Sequence, residues 1–268
     1  MSDNPHKTSL NNILALTRAR VEALKSKRRV LEQAARDGRP VRPFPKPGAV
    51  VGIIAEVKRR SPSQGAIRED LDPVTHASAY ARGGAVAISV LTDEAHFGGS
   101  IDDLRDVAAA TAVPVLRKDF VIDESQVFEA RGAGASAVLL IARVLPADRL
   151  HALAHVVRDC DMTALVEVHA ASELDAALAA GPSVIGVNAR DLDTFVVDAA
   201  AAERLIARVP RDIAVVGESG VETRRDVERF ATAGADFVLV GTSVARTGDP
   251  ETAVRALVGV KRERGVRA

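Results

Sequence analysis

The chain contains no tryptophan, one tyrosine, two methionines and one cysteine in 268 residues. A single thiol, Cys160, excludes an intramolecular disulfide and any multi-cysteine metal site. It reads as an incidental thiol near the end of a helix. Excess charge of one sign is also missing, since 36 Lys and Arg balance 36 Asp and Glu. That balance favours no polyanionic partner, so nucleic acid is not expected, and the basic run Lys25-Ser-Lys-Arg-Arg29 reads as a solvated helix face. Long apolar runs are absent too. The longest, such as Ala137 to Ala142, fall far short of the roughly 18 residues a membrane span needs. The polar start Ser2-Asp-Asn-Pro-His-Lys7 lacks the apolar stretch of a secretory signal. A cytoplasmic protein with no membrane partner is expected. His151 and His169 do not stand at a metal-ligand spacing, and no metal is assigned.

What is present is a repeat of strand and helix. Eight short apolar, β-rich runs occur: Val50 to Lys58, Ala85 to Thr92, Pro114 to Phe120, Ala137 to Arg143, Thr163 to His169, Val184 to Arg190, Ile213 to Gly220 and Phe237 to Ser243. Stretches with helical periodicity separate them, including Ile101 to Val107 and Pro146 to Val157. The segments Ala81 to Ala85, Ala130 to Ala135, Ala179 to Pro182 and Ala231 to Ala235 each supply a glycine where helix returns to strand. Eight such units predict an α/β fold, a closed (β/α)8 TIM barrel. An open doubly wound sheet is the alternative, although no G-x-G-x-x-G follows the first strand to support a dinucleotide fold.

Ahead of the barrel, Leu10, Ile13, Leu14, Val21, Leu24 and Leu31 recur at helical spacing, predicting one amphipathic helix of about 25 residues that ends at Asp37-Gly38 with a glycine C-cap. The proline-spaced connector Arg39 to Gly48 follows. The expected division is therefore a helical extension with its connector, residues 1–48, and a barrel, residues 49–268. The helix is expected to pack near the barrel mouth, with a subunit interface as the alternative.

Polar residues gather at the predicted strand ends. Glu56 and Lys58 lie two apart on the first strand and so share a face. Later strands end in Arg117-Lys118-Asp119, Glu167-Val-His169, Asn188-Ala-Arg190-Asp191 and Glu218-Ser219-Gly220. Catalytic groups of such barrels lie at the carboxyl ends of strands. In Glu218-Ser-Gly-Val221 and Val240-Gly-Thr-Ser-Val244, small residues would let backbone N–H groups approach an anion, so a phosphate is expected at the last two loops.

With these residues in place, the chain resembles indole-3-glycerol phosphate synthase. The resemblance rests on Ile54 to Ser63, Ser89 to Glu94, Phe97 to Ser100, Leu116 to Phe120, Leu165 to His169, Gly186 to Asn188 with Arg190 to Leu192, and Glu218 to Val221. It implies closure of 1-(2-carboxyphenylamino)-1-deoxyribulose 5-phosphate to indole-3-glycerol phosphate, with loss of carbon dioxide and water and without a cofactor. By that resemblance Lys118 is the general acid and Glu167 the carboxylate that assists proton transfer. Lys58 engages the substrate carboxylate and takes part in dehydration, while Glu56 and Asn188 orient it and the departing hydroxyl.

The same resemblance assigns Ser61, Ser219, Gly220, Gly241 and Thr242 to the phosphate, Phe97, Phe120 and Leu139 to the anthranilate ring, and Arg190 to the substrate. Lys118 is expected to be a better acid through burial or nearby cations. The expected partner is a phosphorylated small molecule, met by a monomer, with self-association left open. The sequence departs from the family pattern at Gln64, at Ala189, and at Ser125 in the loop after the third strand. A sister phosphate-binding isomerase barrel would need a cysteine at a strand end, which Cys160 does not provide. A noncatalytic sugar-phosphate binder would lack Lys118 or Glu167.

Overall fold

Alternation along each strand decides which of its side chains face the barrel interior. The computed structural model describes residues 10–263 and 267, so the polar start of the chain lies outside the described residues. Eight strands form a closed barrel, each parallel to both neighbours. They are β1 (Gly52–Val57), β2 (Ala87–Leu91), β3 (Val115–Lys118), β4 (Ala137–Ile141), β5 (Thr163–Val168), β6 (Val184–Asn188), β7 (Ala214–Glu218) and β8 (Phe237–Val240). Strand order follows chain order around the ring, and β8 closes onto β1. The protein is a (β/α)8 TIM barrel, and the open-sheet alternative is excluded.

One face of each strand fills the barrel. Ile54, Leu116, Leu139, Leu165, Val216 and Leu239 form the interior cluster, while Ile53, Val115, Leu140, Val166, Val215 and Val238 belong to the layer beneath the helices. Residues two apart share a face, so the interior face continues upward to Glu56 and Lys58, Lys118, Glu167, Asn188 and Glu218. The expected left-handed glycines are found at Gly84, Gly134, Gly181 and Gly234.

The helix expected as one piece is two: α1 (Leu10–Lys25) and α2 (Arg28–Arg36). The Ser26 hydroxyl donates to the Ala23 carbonyl (2.7 Å), and the Lys27 N–H to that of Leu24 (2.9 Å), tightening the chain into a turn. The break lets the two pieces face different surfaces. Leu10 and Ile13 of α1 reach over the barrel mouth. Below the turn, α2 packs on the Glu124–Gly132 helix, with Arg28 over the Phe128 ring at 5.6 Å and paired with Glu124 at 2.8 Å. Gly38 does not cap in a left-handed conformation. An added Cβ there would meet the end of the Arg131 guanidinium, which would have to shift. Beyond it the connector brings Phe44 edge-on to Phe237, the first residue of β8, with centroids 6.2 Å apart.

Arg20 ties α1 to the barrel. Its guanidinium donates to both Asp119 carboxylate oxygens (2.8 and 2.7 Å) and to the Thr92 carbonyl (3.1 Å). Asp119 is fully buried and also accepts from Thr92 Oγ1 (2.5 Å), Arg117 (3.0 Å) and its neighbour's N–H at Phe120 (2.8 Å). Burial opposes ionisation of this carboxyl, yet Arg117 and Arg20 outweigh it and hold it below the usual carboxylate range.

Asp119→Ala leaves the buried Arg117 short of a partner and is expected to cost about 3–5 kcal/mol in chemical denaturation. Glu22→Ala, which breaks only the exposed pair with Lys25, should leave the midpoint unchanged.

Candidate active site

A cavity of about 670 Å³ opens at the carboxyl ends of the strands. Glu56, Lys58, Ser61, Phe97, Lys118, Phe120, Leu139, Glu167, Asn188, Arg190, Ser219, Gly220, Gly241 and Thr242 all line it. Residues from every barrel strand or the loop that follows it meet there.

Charge is concentrated at its floor. Lys118 Nζ lies 3.1 Å from Glu167 Oε2 and 3.4 Å from Glu218 Oε2. Beside them, Lys58 Nζ is 2.5 Å from Glu56 Oε1. Asn188 Oδ1 accepts from the Ser219 hydroxyl (2.8 Å) and from the Arg190 N–H (3.0 Å), and the Arg190 guanidinium donates to the Phe195 carbonyl (3.0 Å). Two glycines make room for carboxylates. A Cβ on Gly241 would collide with Glu56 and sit 3.0 Å from Lys58 Nζ, and a Cβ on Gly186 would collide with Glu218. The need for a small residue at 241 is therefore set partly by the Glu56–Lys58 pair, in addition to the anion approach expected from the sequence.

The electrostatics correct one expectation. Burial alone would lower the Lys118 value, but Glu167, Glu218 and Glu56 outweigh it and raise it, so this lysine is held protonated rather than made a stronger acid. Glu167 goes the other way: despite burial, Lys118 and His169 hold it far below the ordinary carboxylate range. Glu218 does not follow. Burial, with Glu167 and Glu56 nearby, pushes its carboxyl up to about 8 against the pull of Lys118. Two carboxyl groups on one ammonium are thus driven apart, one ionised and one protonated at neutral pH, the pattern of an acid-base pair.

Glu218 was visible in the sequence as a strand end but carried no assigned role. Its signal was register, because it occupies on β7 the inward position that Lys118 occupies on β3 and Glu167 on β5. The group Arg117-Lys118-Asp119 splits for the same reason. Lys118 faces the cavity, while Arg117 turns to Glu129 (2.8 Å) and Gln126 on the Glu124–Gly132 helix. Ser125 is not in a loop: it is fully buried in the first turn of that helix and does not line the cavity. Gln64 is at the rim, and Ala189 is buried with its N–H donated to the Glu218 carbonyl (2.9 Å).

Around the mouth, the short Thr242–Ala245 helix begins after Gly241, and Ser219 and Gly220 both have positive φ, 65° and 73°. Ser243 Oγ donates to the Val221 carbonyl at 3.3 Å and joins these two loops. Leu192, Phe195 and Val197 add an apolar side that the sequence reading had not singled out. Among the described residues, no three His, Cys, Asp or Glu side chains gather as a metal site.

Residues 10–257 match the family model described as indole-3-glycerol phosphate synthase. The chain belongs to that family. It is 47% identical over 260 residues to indole-3-glycerol phosphate synthase 2 of Streptomyces coelicolor, a match covering 93% of this chain and all of the relative. It is 50% identical over 208 residues to indole-3-glycerol phosphate synthase of Mycolicibacterium smegmatis, covering 78% of this chain and 76% of that one. Solved structures of thiamine phosphate pyrophosphorylase from Pyrococcus furiosus and of KGPDC from Streptococcus mutans share the fold alone. Their TM-scores are 0.58 and 0.60 at 17% and 13% identity; they cover 77% and 78% of this chain, and the matches span 93% and 95% of theirs.

The raised Glu218 value also makes stability depend on pH. Because the folded value exceeds the unfolded one of about 4.3, the stabilisation is complete below the unfolded value and is lost as pH rises through about 8. Glu167, whose value is depressed, acts with the opposite sign at acid pH. Melting wild type and Glu218→Gln side by side between about pH 5.5 and about pH 8.5 separates the two. The variant should gain on wild type as pH rises, and parallel curves would place the proton elsewhere.

Proposed function

We propose that this cavity binds 1-(2-carboxyphenylamino)-1-deoxyribulose 5-phosphate and closes its indole ring, releasing carbon dioxide and water. The observation that carries the reading is the Lys118 ammonium held between Glu167 and Glu218 on the floor of the cavity. The phosphate lies against Ser61, Ser219, Gly220, Gly241 and Thr242, where small residues leave backbone donors accessible. The aromatic ring lies between Phe97, Phe120 and Leu139, beneath Leu10 and Ile13 of α1. Lys58 and Arg190 supply cations for the ring carboxylate.

In this pose Lys118 donates a proton to the substrate carbonyl oxygen as the ring carbon attacks the carbonyl carbon. The new carbon–carbon bond leaves positive charge on the anilino nitrogen, which the ionised Glu167 stabilises. Cleavage of the carboxylate bond returns its electron pair to the ring and releases carbon dioxide, so no external electron sink is required. The hydroxyl left by closure then departs as water with a proton, and loss of a ring proton completes the indole. Lys58 takes part in this step while Glu56 and Asn188 orient the departing group. The protonated Glu218 is a second proton source beside Lys118.

We also read residues 1–48 as an accessory extension of a catalytic barrel, 49–268, working as a cytoplasmic monomer. Among the described residues no helix is long and apolar enough to cross a membrane.

Turnover of the carboxyphenylamino substrate is measurable by indole fluorescence, since the protein has no Trp and one Tyr. Lys118→Ala is expected to lower kcat by about 10²–10⁴ with the fold retained. Full activity in that variant would refute the assignment, and Lys25→Ala serves as a silent control. Gly241→Val should raise KM and also lower kcat, because its side chain meets both the phosphate loop and the Glu56–Lys58 pair. An effect on neither constant would move the phosphate elsewhere.

A further inference from the structure

The chemistry proposed above uses Lys118 and Glu167 but not the imidazole behind them. His169 follows Glu167 by two residues and shares its inward face of the strand and its continuation. Its side chain is only 4% exposed, and Nε2 lies 3.2 Å from Glu167 Oε1. Lys118 holds the other oxygen, Oε2, at 3.1 Å. The two carboxylate oxygens are therefore divided between two cations. On the far side of the ring, Nδ1 lies 3.7 Å from Glu173 Oε2, and the same Glu173 oxygen accepts the His169 backbone N–H at 2.7 Å. Glu173 stands in the first turn of the helix Ala171–Ala179. The ring contacts are ion pairs rather than aligned hydrogen bonds.

We propose that His169 is a positioning residue for ring closure: it anchors Oε1 of Glu167 so that Oε2 remains on Lys118. The proposal rests on the catalytic reading of Lys118 and Glu167. Its physical basis is that the last torsion of a glutamate is broad and roughly two-fold, so a carboxylate held at one oxygen rotates freely. A second cation fixes the plane. Its own charge is met on the far side by Glu173. The ring faces Glu167 on β5 and Glu173 on the following helix, with Lys118 of β3 and Glu218 of β7 beyond Glu167. Despite burial, its two carboxylate neighbours raise the imidazole to about 9, so it is cationic at neutral pH.

Three variants test this. His169→Leu keeps comparable bulk without a donor and should lower kcat about 10- to 100-fold, as loss of an orienting partner does elsewhere, with KM changed little. His169→Gln restores a donor without the charge and should recover about a tenfold share of that loss. Unchanged kcat in His169→Leu, or equal defects in the two variants, would overturn the proposal. A readout without substrate covers failure of His169→Leu to fold: the imidazole proton resonance of His169, followed by NMR against pH. Its midpoint should fall from about 9 in wild type toward the ordinary value of about 6.5 in Glu167→Gln. An identical midpoint in both proteins would overturn the pairing. If wild type turns over no substrate while the midpoint still follows Glu167, the proposed activity falls and the pairing stands.

Discussion

Three glutamates share the floor of one buried cavity, and everything near them is arranged to make that tolerable. An unpaired carboxylate taken from water costs several kcal/mol even after relaxation. Lys58 lies on Glu56, Lys118 lies between Glu167 and Glu218, and His169 stands behind Glu167. The cations do not suffice for all three carboxylates equally. Glu218 therefore keeps its proton into neutral pH while Glu167 gives its proton up. This difference in proton affinity between two like groups arises from burial and unequal contact with Lys118 and His169.

The barrel supplies the geometry. Glu167 lies opposite Gly186 on the neighbouring strand, and Asn188 lies opposite Glu218. Neighbouring strands thus present their polar ends at adjacent registers. Small residues between them are as necessary as the charged ones, because Gly186 and Gly241 leave the volume that Glu218 and Glu56 fill. A barrel interior is a packed core and not a pore. The apolar layers formed by Ile54, Leu116, Leu139, Leu165 and Leu239 hold the floor rigid beneath the charges.

The N-terminal segment completes the site from outside. Arg20 fixes α1 to Asp119, the residue after Lys118, so the element carrying Leu10 and Ile13 is anchored to the strand end that carries Lys118. The turn at Ser26 and Lys27 allows α2 to leave the mouth and lie along the Glu124–Gly132 helix. Helical periodicity of apolar residues runs through that turn without interruption, which is why it was invisible as a break: α1 buries Ile13, Leu14 and Val21, whereas α2 buries only Ala35 and leaves Val30 exposed.

From the sequence alone, the eight strand runs, their parallel order and the inward position of Glu56 with Lys58 were legible, because alternation and βα spacing are local properties of the chain. Most residues placed at the strand ends reach one cavity for the same reason, whereas Arg117, His169 and Asp191 do not line it. Local pattern did not reveal which members of Arg117-Lys118-Asp119 face inward, that Ser125 lies in a buried helical turn, or that Glu218 belongs beside Lys118. Those depend on closure, which brings β3, β5 and β7 to a common centre although some 50 residues separate each from the next. The proton affinities belong wholly to the tertiary structure. Sequence suggested a lysine acidified by burial; folding surrounded Lys118 with carboxylates whose attraction exceeds the cost of desolvation, and so set its charge the other way.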